Sequence, residues 1–264
     1  MLDPAAIRLD GKVAVVTGGG AGIGRGIAEA FKAFGAEVAI WEREDTVDAA
    51  ASAVGGLGLR LDVRDADAVD DALASTVEWF GSIDILVNNA GGTFRSGLLD
   101  TSDGGVAALI DENLGQVIRC TSRVAARMIA AGVAGSIVNL ASIEGVRAAP
   151  GYAAYGAAKA GVINFTKTAA IELAPHGIRV NALATDVCWT DGLEAMGGAG
   201  ARERAARQVP LGRTGDVDDL AGAAVFLASD LAAYVTGQTL HVDGGSHAAA
   251  GWYRDTDGTW TLCP

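Results

Sequence analysis

Tyr155 and Lys159 lie four residues apart in a stretch with helical patterning, so both side chains project from one face and can approach a common point. Ser142 precedes them, just after the apolar run Ile137–Leu140. That is the carboxyl end of a buried strand, the edge at which open α/β sheets bind ligands. A tyrosine with a pKa near ~10 is a poor base at neutral pH. An ammonium ~4 Å away is worth roughly 4 kcal/mol at an effective dielectric near 20. Since ~1.4 kcal/mol equals one pKa unit, Lys159 can bring Tyr155 toward neutrality by up to about three pH units. That suffices for general acid/base work on an alcohol or carbonyl oxygen.

A second chemical feature is the run Thr17-Gly18-Gly19-Gly20-Ala21-Gly22-Ile23-Gly24, which follows a strand-like segment and opens a helical one. Glycines at 18, 20, 22 and 24 let the backbone approach a pyrophosphate, and the helix start at Ile23 offers free N–H groups and the positive end of its dipole. Glu42 ends the next strand-like run, where a carboxylate accepts from both ribose hydroxyls and repels a 2′-phosphate. This favours NAD as the cofactor. Arg43, next in the chain, can pair with a 2′-phosphate and leaves NADP as the alternative.

These groups need a frame, and the pattern supplies one. Short β-rich apolar runs occur at Lys12–Thr17, Glu37–Trp41, Leu57–Leu61, Ile83–Asn88, Ser136–Leu140, Arg179–Leu183 and Thr239–Val242. Helical patterns separate them at Ile23–Phe34, Ala66–Phe80, Gly105–Ala131, Tyr152–His176 and Val217–Ser229, long enough for right-handed crossovers. The strands are nearly continuous Val/Ile/Leu, which fits burial on both faces. The expected fold is a single-domain, doubly wound α/β Rossmann fold over residues 1–264, with a seven-stranded parallel sheet flanked by helices. Gly192–Gly200 is glycine-rich between apolar residues and reads as part of a mobile substrate flap over about 188–210. The tail, 246–264, carries Trp252, Tyr253 and Trp260, which are expected to dock against a surface.

Composition narrows the classes. Half of the 264 residues are apolar and 37 are glycine, which excludes disorder as the main description. The charge balance of 20 basic and 32 acidic residues gives −12, and no Lys/Arg cluster appears, so nucleic acid and anionic membranes are not expected partners. Cys120, Cys188 and Cys263 are widely spaced and lack a CxxC pair, as in reduced thiols of a cytoplasmic protein. Neither a secretory signal nor a membrane-spanning apolar run is legible. His176, His241 and His247 lack partners at ligand spacing, so no metal is expected.

The chain resembles the short-chain dehydrogenase/reductase family over nearly its whole length. The resemblance rests on nine elements in the family's order: TGGGAGIG at Thr17–Gly24, DV at Asp62–Val63, NNAG at Asn88–Gly91, Asn113, Ser142, YGAAK at Tyr155–Lys159, IRVNAL at Ile178–Leu183, PLGR at Pro210–Arg213 and VDGG at Val242–Gly245. It implies a catalytic tetrad of Asn113, Ser142, Tyr155 and Lys159. Ser142 would hold the substrate oxygen and Tyr155 would pass the proton. Lys159 would bind the nicotinamide ribose and lower the tyrosine pKa, while Asn113 would fix a relay water. Asp62 and Val63 match the adenine-binding pair, and Asn89, Ala90 and Gly91 the stretch running beside the cofactor. Val187 and Thr190 match positions that address the carboxamide.

One departure falls beside the nicotinamide: after Ala184 the family usually continues Pro-Gly, whereas here Thr185-Asp186 follows. Asp186 is read as a contact for a polar substrate group. By matching loops, Phe94, Arg95, Glu144, Arg147, Tyr152, Trp189 and Met196 also line the substrate pocket, a mixture suited to a moderately polar cyclic or aromatic secondary alcohol or its ketone. The small and apolar residues around much of the helix Tyr152–Ala174, together with the family, point to a homotetramer. The expected activity is NAD-dependent hydride transfer between a secondary alcohol and a ketone. The alternatives are an NADPH-dependent reductase of ketones or 3-oxoacyl thioesters, and a non-catalytic dinucleotide sensor.

Overall fold

A computed structural model describes residues 3–255 and 258–262. Its centre is a seven-stranded parallel sheet in the order β3-β2-β1-β4-β5-β6-β7. The strands are β1 (Val13–Thr17), β2 (Glu37–Glu42), β3 (Leu57–Arg60), β4 (Ile85–Asn88), β5 (Ser136–Ser142), β6 (Arg179–Thr185) and β7 (Thr239–Val242). The three central strands, β1, β4 and β5, are buried at every position, as their unbroken apolar runs require of a sheet covered on both faces. Strand order reverses between β1 and β4, which opens a crevice at the carboxyl ends of these two neighbours.

Helix α1 (Gly22–Ala33) and α9 (Val217–Ala228) cover one face. Ile27, Ala28 and Phe31 meet Ala221, Ala224 and Val225 over Val16, Ile40 and Leu140. The other face carries α3 (Ala66–Phe80), α5 (Gln116–Ala131) and α6 (Ala153–Leu173). Trp41, fully buried, projects among them and donates its Nε1–H to Thr76 Oγ1 at 3.1 Å, so its polar edge is satisfied inside the core. Local signals set the helix ends: Asp65 accepts from the first-turn N–H groups of Asp67 and Ala68, and Gly81 ends α3 in a left-handed conformation. At the far end of the sheet, the Arg179 guanidinium donates to the carbonyls of Leu227, Ala228, Ser229 and Val235, capping the carboxyl end of α9.

The structure adds detail to the sequence reading in four places. Helix α2 (Val47–Val54) lies between β2 and β3, where no helix is expected. The single helix expected over Gly105–Ala131 is divided into α4 (Asp103–Ile110) and α5 by a π-turn at Asp111–Gly115. The flap is built of two short helices, α7 (Asp191–Gly197) and α8 (Ala201–Ala206). The tail forms α10 (Ser246–Ala249) and a small antiparallel hairpin of β8 (Tyr253–Arg254) and β9 (Trp260–Thr261). Trp252 and Trp260 are about half covered within the chain, at 46% and 51% exposed.

Candidate active site

The crevice at the β1/β4 switch holds a cleft of about 650 Å³. Gly18, Gly20, Gly22 and Ile23 form one wall, with Thr190 opposite and Asn89, Ala90 and Gly91 beside them. Gly18 adopts φ +62° and packs so tightly that a Cβ there would lie 2.9 Å from the Ala90 Cα. Thr17 fixes this turn to β4: its hydroxyl donates to the Val87 carbonyl and accepts from the N–H groups of Asn89 and Ala90. Asn89 answers through its amide, which donates to the carbonyls of Thr17 and Gly18. Helix α1 begins at Ala21 with no side-chain cap. Its first N–H groups therefore face the cleft as donors for an anion. Gly24 lies beneath the turn rather than on the cleft surface, where the backbone of Gly18 crosses it closely.

Glu42 closes the end of the cleft beside the glycine turn. Its Oε2 accepts from the Gly20 N–H at 3.0 Å, and its Oε1 accepts from the N–H groups of Arg43 and Glu44 at 2.7 and 3.1 Å. Three backbone donors hold the carboxylate against the glycine turn. Asp62 and Val63 line the same end, and a bidentate pairing with Arg64 holds the Asp62 carboxyl below its usual range. The cleft thus fits a dinucleotide: an uncapped helix start, a turn without room for side chains, and a positioned carboxylate. Two buried acceptors with no protein partner, Asn113 Oδ1 and Gln116 Oε1, add polar capacity beside Ala90–Gly92.

At the opposite end, Asn113, Tyr155 and Lys159 line the cleft, and Ser142 lies just behind them at the end of β5. The Ser142 hydroxyl stands close enough to the Tyr155 phenol to act on its proton, and its Oγ accepts from the Glu144 N–H at 3.2 Å and donates to the Thr185 carbonyl at 3.4 Å. The Lys159 ammonium is buried and donates to the Leu140 carbonyl at 2.8 Å. Asn113 owes its position to the π-turn, in which the Gln116 N–H reaches back five residues to Asp111. The Asn113 amide donates to Leu109 and Gly92 at 3.0 and 2.8 Å, tying this helix to the β4 loop.

The electrostatics correct one expectation. Lys159 does not pull Tyr155 down in the free cleft: burial pushes the phenol above its usual value, with the Ser142 hydroxyl opposing. The ammonium turns to Leu140 and stands 5.7 Å from the tyrosine ring centroid, and burial lowers its own pKa to about 8. Near neutral pH both groups hold their protons.

Val187 is not on the cleft surface, because its backbone pairs with Gly215. None of the expected substrate residues lines the cleft itself. Phe94 and Arg95 follow β4, Glu144 and Arg147 follow β5, Tyr152 precedes α6, Asp186 and Trp189 follow β6, and Met196 belongs to α7. Arg147 donates to Glu144 at 2.9 Å and to Asp186 at 3.2 Å, so the acid in the unusual Thr185-Asp186 step is an ion-pair partner rather than a free contact. Arg95 packs against Gly151, next to Tyr152 at the start of α6. Phe94 is half-exposed, and the Trp189 indole donates to Glu194 beneath the Arg202 guanidinium. The Met196 side chain lies outside the described residues, as does Cys263. His241 and His247 stack at 4.3 Å, and among the described residues no group of three or more His, Cys, Asp or Glu is arranged to hold a metal ion.

Sequence reasoning missed Glu112, Gln116 and Arg64, all on the cleft surface. The available signal for the first two was their place on either side of Asn113 in the chain.

The chain is similar to known proteins over most of its length. The family described as enoyl-(acyl carrier protein) reductase matches residues 18–247. A 3-oxoacyl-acyl-carrier-protein reductase of Staphylococcus aureus is 40% identical over 243 residues, covering 89% of this chain and 98% of the relative. An uncharacterized oxidoreductase of Mycobacterium tuberculosis is 40% identical over 245 residues, covering 90% and 93%. Among solved structures, a short-chain type dehydrogenase/reductase from Mycobacterium marinum superposes with a TM-score of 0.84 at 34% identity, covering 91% and 97%.

Proposed function

Because the chain belongs to the short-chain dehydrogenase/reductase family, we propose that this oxidoreductase transfers a hydride between NAD and a secondary alcohol or its ketone. The observation that carries the reading is the convergence of Ser142, Tyr155 and Lys159 at one end of a cleft whose other end is closed by Glu42. A bound nicotinamide supplies the hydride chemistry; the side chains bind, orient and move a proton. Ser142 Oγ and the Tyr155 hydroxyl converge on the substrate oxygen. In the reducing direction Tyr155 donates its proton to that oxygen, and in the oxidising direction it accepts one. Lys159 holds the cofactor ribose through its ammonium, and Asn113 positions the relay water through its free Oδ1. Glu42 accepts from the adenosine ribose, which supports NAD: the turn Gly18–Gly22 carries no cation for a 2′-phosphate. Two thiols outside disulfides, Cys120 and Cys188, support work in the cytoplasm, and a homotetramer belongs to the same reading. Among the described residues, no helix is long and apolar enough to cross a membrane.

The test is the initial rate with NAD and NADP in parallel across aliphatic, cyclic, aromatic and sugar-like secondary alcohols. Turnover with NAD on one of them supports the reading, whereas turnover restricted to NADP would overturn the cofactor assignment. A second reading, an NADPH-dependent 3-oxoacyl thioester reductase, is favoured by the Staphylococcus aureus relative. Rapid oxidation of NADPH by a 3-oxoacyl thioester would establish it.

Two further outcomes follow from the geometry. Lys159 titrates near 8, so the ammonium is present below that pH and lost above it. Dinucleotide affinity is expected to fall as pH rises through about 8, and Lys159→Met is expected to flatten the profile. Fluorescence titration between pH 6 and 10 checks this, and a flat wild-type curve contradicts it. Asp186→Asn removes one anchor of Arg147. The ratio of kcat/KM between two substrates is expected to move roughly threefold to tenfold with cofactor affinity unchanged; an unmoved ratio means that Asp186 does not shape the pocket.

A further inference from the structure

We propose that Glu112 is a second determinant of the dinucleotide preference, acting by holding the Arg43 guanidinium away from the place a 2′-phosphate would occupy. The inference rests on the NAD reading above and adds a residue on the opposite wall of the cleft.

The cations that line the cleft among the described residues are Arg25, Arg43, Arg64 and Lys159. Three are committed elsewhere. Arg25 pairs with Glu29 one turn along α1 at 2.8 Å. Arg64 is engaged by both oxygens of Asp62. Lys159 lies at the catalytic end with its ammonium on Leu140. Arg43 directly follows the ribose carboxylate Glu42, so it is the cation placed to receive a 2′-phosphate.

Its guanidinium is held from two sides. Nε donates to Glu44 Oε1 at 2.9 Å, and a terminal nitrogen stands 3.6 Å from Glu112 Oε1. The two acids differ in surroundings: the Glu44 side chain is 64% exposed and Glu112 only 26%, so the second pair is the less screened. Glu112 is also the better anchored. It stands on the π-turn, whose neighbour Asn113 is tied to Gly92, and its carboxylate lies over the Gly92 backbone. The pair joins the end of β2 to the helix across the cleft. At 3.6 Å it is an ion pair without a close hydrogen bond, so loss of Glu112 frees the arginine to turn toward Glu42 and an incoming phosphate.

The test measures dissociation constants of NAD and NADP by calorimetry for the whole protein, with Glu112→Gln, Arg43→Gln and the double variant. Glutamine keeps the shape of the side chain, and NAD binding reports that each variant is folded. Wild type is expected to bind NAD more tightly. Glu112→Gln should shift the NADP/NAD affinity ratio toward NADP by about tenfold, and in the Arg43→Gln background the same change should shift it less than about threefold. A wild type that prefers NADP overturns the NAD reading itself. With that preference intact, a ratio left within about twofold by Glu112→Gln overturns the role of Glu112 alone. A shift of equal size with and without Arg43 also overturns it, since the carboxylate would then act by its own charge.

Discussion

Replacing Tyr155 by phenylalanine is expected to lower kcat/KM by about a thousandfold or more, while dinucleotide affinity stays within about twofold. The ring is partly buried in the first turn of α6, with Ser142 close to its hydroxyl. Phenylalanine keeps the ring and removes only the group that carries the proton. Ser142 retains the Glu144 N–H as a donor, so the substrate oxygen still finds a partner but no acid. Burial makes the loss sharper, because it holds the phenol protonated well above neutral pH. Initial rates paired with calorimetry check the result. A variant retaining a tenth of the rate would remove Tyr155 from the chemistry and leave the cleft as a binding site.

Gly24→Ala is expected to damage both stability and binding. A Cβ there would stand 2.2 Å from the Gly18 carbonyl oxygen and 2.3 Å from the Asn89 amide nitrogen. Neither neighbour can yield cheaply, since Gly18 is backbone and Asn89 is fixed by two hydrogen bonds to the turn. Overpacking of this kind costs about 1–3 kcal/mol, or roughly 2–10 °C in Tm for a chain of this size. Pushing α1 from β1 also withdraws the N–H groups that face the cleft, so dinucleotide affinity should fall at least about tenfold. Thermal melts and titration test the two parts separately. An unchanged Tm would show that the turn relaxes more readily than its contacts imply.

The fold was legible wherever a segment is buried on both faces. Strands β1, β4 and β5 are runs of Val, Ile and Leu with no competing period, and their carboxyl ends carry Thr17, Asn88 and Ser142, so sheet and site were read together. Helix α2 was not legible, because its alanine-rich stretch follows the charged Glu42–Asp45 and presents only Val47, Ala50, Ala51 and Val54 to the core. The π-turn escaped notice because one extra residue leaves apolar spacing on either side intact. Tyr155 and Lys159 were local enough to read, and Asn113 came with the family resemblance, whereas the Arg147–Asp186 pair joins residues 39 apart and the Arg43–Glu112 pair crosses the cleft. Contacts of that kind belong to topology, and no window of sequence contains both partners. The same holds for the tyrosine pKa: spacing puts the lysine on the tyrosine's face of the helix, whereas the fold offers its ammonium the Leu140 carbonyl and buries the phenol.

The π-turn at Asp111–Gly115 also keeps the phase between two halves of what would otherwise be one rod. An extra residue would rotate everything after it by about 100° in a continuous α-helix, and the wider turn absorbs it. The face of α5 that meets the core carries Val117, Cys120, Val124 and Met128. Loss of a single residue between 111 and 115 would let the turn close into a continuous α-helix with α5 still facing the core, so the extra residue serves the cleft, on which Glu112 and Asn113 stand, rather than the packing. This short segment is therefore a point where the length of the chain bears on the cleft more than on the core.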